Sequence, residues 1–281
     1  MTGPIRLGLI GDNIAASQAP RLHRLAGAQN GQRVVYDRLV PPALGLSFDD
    51  LFAQVAASGY RGVNVTYPYK EQAAGRVVVA DPLVRAMGAV NTVVFAPDGP
   101  QGFNTDHTGF IAAYRQARGA AAPGTVLLIG AGGVGKAVAF GLIALGVREL
   151  RIADHDLPKA QALAAALKAA RPGLITRTGR AATDLAAGVA GVINCTPVGM
   201  VGYDGTPLPR ADLAAADWVF DAVYTPVETQ FLQDAASIGL QVISGYELFI
   251  GQGVDAWRIF TGLPLDVTEL RRALAEGQDA P

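Results

Sequence analysis

Lysine is scarce in this 281-residue chain, with only Lys70, Lys136, Lys159 and Lys168 present, and Lys70 stands among polar segments able to do chemistry. It closes Asn64-Val-Thr66-Tyr-Pro-Tyr-Lys70; the others are Gly88-Ala-Val-Asn91-Thr92 and Gly102-Phe-Asn104-Thr105-Asp106. Each adjoins an apolar, strand-like run. In an open parallel sheet the carboxyl ends of neighbouring strands gather round one crevice, so Lys70, Asn91 and Asp106 are expected to converge. A lysine beside a carboxylate, flanked by amide and hydroxyl donors, suits proton transfer to or from a substrate hydroxyl while a hydride leaves the same carbon. The same residues also fit a weak surface ion pair, an amide that closes a turn and a helix N-cap at Asp106.

A seat for the hydride acceptor is written further on. Val126-Leu-Leu-Ile runs into Gly130-Ala131-Gly132-Gly133-Val134-Gly135 and an Ala-rich segment, so a strand, a tight glycine turn and a helix start follow one another. Such a turn presents backbone N–H groups to a pyrophosphate. A second strand ends in Asp154, 24 residues after Gly130, where the dinucleotide fold accepts hydrogen bonds from the adenosine ribose. The alternatives are a glycine-tolerant turn with no ligand and an Asp154 that caps the next helix.

The elements that must position these groups follow in order. Residues 6–11 and 34–40 read as strands, with Pro20 in the first turn of a helix between them; Ser47 is an N-cap candidate for a helix to Ala57, and residues 62–66 form a strand stopped by Tyr67-Pro68-Tyr69. Residues 89–94 and 101–105 are strand candidates around a Pro-Asp-Gly-Pro turn, followed by a helix from Asp106 and a linker at 119–124. After Asp154 come a helix to about Ala170, a weak strand near Ile175 and a helix near Asp184; strands at 191–196, 218–224 and 241–245; and helices at 228–238, 246–260 and 266–275. Alternating strands and helices predict an α/β chain with a mostly parallel sheet.

Half the residues are apolar, enough for a sizeable core, and the net charge of −1 gives no long-range pull on nucleic acid or an anionic membrane. The single cysteine excludes an intrachain disulfide, and no basic leader opens the chain. No apolar run approaches the roughly 18–20 residues of a membrane span. The expectation is a soluble cytoplasmic protein with a small-molecule partner and neither nucleic acid nor membrane. No metal site is expected, since His23, His107 and His155 are scattered. Cys195 reads as inert packing on a buried strand end, His107 as exposed on a helix start, and Phe249, Trp257 and Phe260 as core or interface. Residues 277–281 form a short tail.

Together the motifs resemble one family in order along nearly the whole chain. Asn64-Val-Thr66-x-Pro68-x-Lys70, Gly88-Ala-Val-Asn91-Thr, Asn104-Thr-Asp106, the glycine turn, Asn194-x-Thr196-x-x-Gly199-Met200, Asp221-x-Val-Tyr224-x-Pro226-x-x-Thr229 and Gly245…Gln252…Thr261-Gly262 are similar to those of shikimate dehydrogenases. The resemblance implies two α/β domains: an open substrate domain at 1–106 and 246–281, completed by a returning C-terminal helix, and a Rossmann domain at 107–245. It implies reversible oxidation of a ring hydroxyl of quinate or shikimate to the 3-dehydro ketone, in quinate catabolism or aromatic amino acid biosynthesis. Lys70 would shuttle the proton and Asp106 orient it. Thr66, Asn91 and Gln252 would hold the ring hydroxyls, with Ser17 and Tyr224 near the carboxylate. Thr196 and Gly245 would join the glycine turn at the cofactor. Monomer and homodimer remain open.

Two positions depart from the family pattern. Its Ser-x-Ser loop is here Ser17-Gln18-Ala19, one hydroxyl short, which favours a substrate other than plain shikimate unless another group compensates. Its NADP-type Asn-Arg-Thr-x-x-Arg is here Asp154-His155-Asp156-Leu-Pro-Lys159. Carboxylates replace neutral residues and the arginine clamp is gone, so NAD is the expected cofactor. The alternatives are an NADP-linked biosynthetic shikimate dehydrogenase, a paralogue acting on a related hydroxy-ring acid, and a catalytically silent dinucleotide-binding regulator.

Overall fold

A computed structural model describes residues 3–276; the tail at 277–281 lies outside the described residues. The chain divides into two compact units, Met1–Thr105 with Gln252–Pro281, and Asp106–Gly251.

The first unit opens with β1 (Ile5–Ile10), α1 (Ala19–Gln29), β2 (Val34–Leu39), α2 (Phe48–Ala57), β3 (Gly62–Val65), α3 (Lys70–Ala74), α4 (Pro82–Met87), β4 (Thr92–Ala96) and β5 (Gly99–Phe103). Its sheet has the order β2-β1-β3-β4-β5. Ser47 caps α2 by accepting the Asp50 N–H at 3.1 Å, and Phe48, Leu51, Phe52 and Val55, at helical spacing, pack with Val63, Val65 and Val93 of the sheet. β1 pairs parallel with β2 and β3, but β4 runs antiparallel to both its neighbours. The expectation of a mostly parallel sheet fails at that edge because the Pro97-Asp98 connection is far too short for a crossover. Asn91 therefore precedes β4 instead of ending a strand. It reaches the same end of the sheet because β4 runs the other way, with Asn64 paired to Thr92 and Thr92 to Phe103.

The second unit follows as α5 (Thr105–Arg118), β6 (Thr125–Ile129), α6 (Gly133–Ala144), β7 (Glu149–Ala153), α7 (Leu157–Ala170), β8 (Ile175–Gly179), β9 (Gly191–Asn194), β10 (Trp218–Asp221), α8 (Gln230–Ser237) and β11 (Gln241–Ile243). The chain returns to the first unit within α9 (Gly245–Thr261) and ends in α10 (Val267–Ala275). The six strands, ordered β11-β10-β9-β6-β7-β8, are parallel throughout. Their order reverses between β6 and β9, the place where doubly wound sheets bind ligands. The helix expected near Asp184 is a single 3₁₀ turn, Thr183–Leu185. Because α5 starts at Thr105, Asp106 lies inside its first turn and is not the cap.

Back in the first unit, α1 and the end of α9 cover the sheet with an aromatic cluster. The His23 ring stacks on Tyr36 with centroids 5.1 Å apart, Phe260 lies 5.7 Å away and Trp257 6.3 Å. Phe260 sits so close to β3 that a side chain at Gly62 would meet it at 2.7 Å. Burial pushes the His23 imidazole down from 6.5 to about 4, partly offset by Asn64. In the second unit, burial pushes the Asp221 carboxyl up from 3.8 to about 6, against the bonds it accepts from Thr229, Val223 and Asn194.

The two groups have opposite consequences. Unfolded His23 takes a proton that the folded ring refuses, so the first unit weakens as pH falls from about 6.5 to about 4. Folded Asp221 keeps a proton that the unfolded chain releases, so its contribution is greatest at low pH and is lost as pH rises from about 4 to about 6. Each effect is worth about 3 kcal/mol, at 1.36 kcal/mol per pKa unit. Trp257 and Trp218 report on different units, and both are fully buried. In single-tryptophan variants, moving from pH 6.5 to 4.5 is expected to lower the urea midpoint seen by Trp257 and to raise that seen by Trp218. Midpoints moving together would refute the assignment.

Candidate active site

Backbone and amide bonds draw the first unit's polar segments to one end of the sheet. Val90 N–H donates to the Lys70 carbonyl at 2.9 Å and Asn91 N–H to that of Phe103 at 3.1 Å. The Asn91 carboxamide accepts the Thr105 N–H at 2.8 Å and donates to its hydroxyl at 3.0 Å. Lys70 is 7% exposed and Asp106, the residue after Thr105, 5% exposed, so the surface ion-pair alternative fails for both. Asn91 does close a turn, satisfying a donor at the start of α5.

Asn64 was given no role in the sequence, although it heads the Asn64-Val-Thr66-x-Pro68-x-Lys70 motif and is a polar residue near the end of a strand. It is buried; its Nδ2 donates to the Asn91 carbonyl at 3.3 Å and to Thr92 Oγ1 at 3.1 Å, while its Oδ1 accepts from the Tyr36 hydroxyl at 2.9 Å. Thr66 is half-buried just beyond β3, with Gly11 so close that a Cβ there would lie 2.3 Å from its methyl group. The Ser17 hydroxyl accepts the Ala19 N–H at 3.3 Å before α1, and Ala19 itself is buried. Gln252 is half-buried on α9.

In the second unit the glycines divide their work. Gly130 has φ +98°, and a side chain there would meet the Cys195 carbonyl at 2.8 Å and the Thr196 methyl at 3.0 Å. A Cβ at Gly135 would fall 1.9 Å from the Gly130 carbonyl oxygen, so only glycine lets α6 pack this tightly on the turn. Gly132 precedes α6 with nothing within 4 Å of a Cβ position, leaving its backbone open to approach. Gly133 and Val134 form the first turn of α6. Asp154, 9% exposed, is held by the Ala131 N–H at 2.7 Å and the Asp156 N–H at 2.9 Å, one on each carboxylate oxygen. It closes the turn before α7, whose N-cap is Asp156, so the capping alternative fails, and each carboxylate oxygen has a second lone pair. Open glycine backbone beside an immobilised acid fits a dinucleotide.

His155 places Nδ1 3.3 Å from Asp154 on an exposed ring. Arg180, which the sequence did not signal, donates to the His155 carbonyl at 2.6 Å. The Thr196 hydroxyl donates to Asn194 Oδ1 at 2.7 Å, and Asn194 donates to Asp221 at 2.9 Å, as does Thr229 at 2.6 Å. Tyr224 stacks on Phe249 at 4.9 Å, half-buried. A Cβ at Gly245 would lie 2.5 Å from the Val223 carbonyl, so the start of α9 meets the loop carrying Tyr224. Cys195 is half-buried, so the buried-packing expectation is corrected, because β9 ends one residue earlier at Asn194. His107 is buried, contrary to expectation, because α6 supplies the Ala137 carbonyl that accepts from its Nδ1 at 3.3 Å. Among the described residues no group of three metal-ligating side chains gathers, and no helix is long and apolar enough to cross a membrane.

A parallel, doubly wound sheet with its glycine turn at the switch point and an acid after the next strand defines a dinucleotide-binding protein of the Rossmann class. A family model described as the shikimate dehydrogenase substrate binding domain matches residues 9–93. The quinate/shikimate dehydrogenase (NAD(+)) of Corynebacterium efficiens is 40% identical, covering 95% of this chain and 96% of its own. The shikimate dehydrogenase (NADP(+)) of Arthrobacter sp. strain FB24 is 35% identical, covering 96% and 94%. The solved quinate dehydrogenase of Corynebacterium glutamicum in complex with NAD superposes with a TM-score of 0.87 at 36% identity, over 97% of this chain and 99% of that one. The chain belongs to the shikimate dehydrogenase family.

Proposed function

We propose that this enzyme interconverts quinate, or shikimate, and its 3-dehydro ketone, using NAD. The observation that carries the choice of cofactor is Asp154, fixed by two backbone N–H groups where a ribose diol would need an acceptor. The backbone of residues 130–135 would hold the pyrophosphate, with Thr196 and Gly245 alongside. NAD, when bound, supplies the hydride acceptor.

In the oxidising direction Lys70 Nζ takes the substrate hydroxyl proton and returns it in the reverse direction, while Asp106 orients the lysine. Thr66, Asn91 and Gln252 bind ring hydroxyls, and Ser17 and Tyr224 face the carboxylate. With Ala19 buried and lacking a hydroxyl, carboxylate binding forgoes a bond worth about 1.5–3 kcal/mol, a loss common to quinate and shikimate; the choice of quinate draws its support from the similarity to quinate dehydrogenase. A second reading, an NADP-linked shikimate dehydrogenase, draws support from the Arthrobacter relative and from Arg180 beside His155. Steady-state rates for quinate and shikimate, each with NAD and NADP, test both. The expected result is the highest kcat/KM for quinate with NAD; turnover of neither acid with either cofactor would overturn the proposal.

A further inference from the structure

We propose that Tyr36 is a positioning residue for the substrate site, acting through Asn64 and touching no substrate itself. The inference rests on the proposed function in taking Asn91 as a substrate-binding group. Tyr36 is 3% exposed in the middle of β2, with its ring stacked on His23. Packing of that kind asks only for a phenyl ring. What phenylalanine lacks is the donor that meets Asn64 Oδ1 at 2.9 Å.

The direction of that bond follows from the acceptors around Asn64. The Asn91 carbonyl can only accept, so Asn64 must turn its Nδ2 toward it and toward Thr92 Oγ1. Oδ1 then faces Tyr36, whose hydroxyl donates. From Thr92 the hydroxyl donates to Asn91 Oδ1 at 3.1 Å, and Asn91 holds both polar atoms at Thr105. A continuous buried path thus runs from β2 through β3 and β4 to the first residue of α5, whose next residue is Asp106. Without the phenol, Asn64 Oδ1 keeps only its contact with the His23 ring, and turning the amide to reach the Thr92 hydroxyl takes Nδ2 away from Asn91 and Thr92. In a buried network each such loss passes to the next member.

The test is Tyr36→Phe, which keeps the ring. The KM for quinate or shikimate, whichever the wild type turns over, is expected to rise about tenfold, with kcat within about threefold and the KM for NAD unchanged, as for one misplaced hydrogen-bonding group. Asn64→Ala should raise the same KM, and the double variant should add little to it, because contacting residues couple. A lowered Tm with unchanged substrate KM would overturn the proposal and leave Tyr36 structural. Wild-type protein inactive on both acids would count against the proposed function instead. The side-chain amide resonances of Asn64 and Asn91 then decide: they should both move in Tyr36→Phe, and an unmoved Asn91 would overturn the coupling.

Discussion

Replacing Lys70 by alanine is expected to lower kcat at least ~10²-fold, the lower range for a positioned acid–base group, while leaving the Kd for NAD unchanged. The lysine opens α3 directly after the turn that ends β3, is 7% exposed, and has its carbonyl tied to the segment that leads into Asn91. Its backbone is thereby held at the sheet end where Asn64, Asn91 and Thr105 bond to one another. The glycine turn belongs to the other unit, so removing an amine here should not loosen the cofactor. Lys70→Arg separates two roles: arginine keeps the positive charge but does not deprotonate near neutral pH, so it too should lose ~10²-fold if the proton transfer matters. A fast Lys70→Arg would make the role electrostatic. Undiminished turnover in Lys70→Ala would remove the residue from the mechanism, whereas a wild type that binds NAD and turns over nothing would favour the silent regulator.

Features with a steric cause confined to a few neighbouring residues were legible in the sequence. Gly130 and Gly135 each meet a demand no other residue meets, and the spacing to Asp154 follows from one β-α-β unit. Other features depend on contacts the sequence does not write. Asn91 was expected at the right end of the sheet, but for the wrong reason: the hairpin at Pro97-Asp98 reverses β4, and a short proline- and glycine-bearing turn between two strands was the available signal. A cap at Asp106 stood beside its catalytic reading because Asn104-Thr105-Asp106 offers several capping side chains, and only the position of the first helical residue decides among them. His107 was placed in solvent because its cover comes from Ala137, thirty residues on in another helix. The Tyr36–Asn64 bond joins strands that have β1 between them, an arrangement set by strand order.

NAD is expected to exceed NADP by about 10–10²-fold in kcat/KM, since one hydrogen bond to a charged group contributes about 1.5–3 kcal/mol. Formal charge does not make the decision. Asp154 and Asp156 face Lys159 and Arg180, two against two, and Lys159 lies 4.0 Å from Asp156. What differs is rigidity and exposure. Asp154 is buried and fixed by two N–H donors, while Lys159 and Arg180 are exposed side chains whose attraction for a phosphate is screened by salt. A ribose diol therefore meets an acceptor already in place, and a 2′-phosphate meets an immobile negative charge. Asp154→Asn is expected to lower the NAD-to-NADP ratio at least about tenfold by removing that charge, and to lower the Tm, because the amide can accept only one of the two N–H groups. Arg180→Ala should leave the ratio nearly unchanged. Comparable kcat/KM for the two cofactors in the wild type would overturn the role of Asp154. Selective loss of NADP turnover in Arg180→Ala would then assign the phosphate to the arginine and restore the NADP-linked reading.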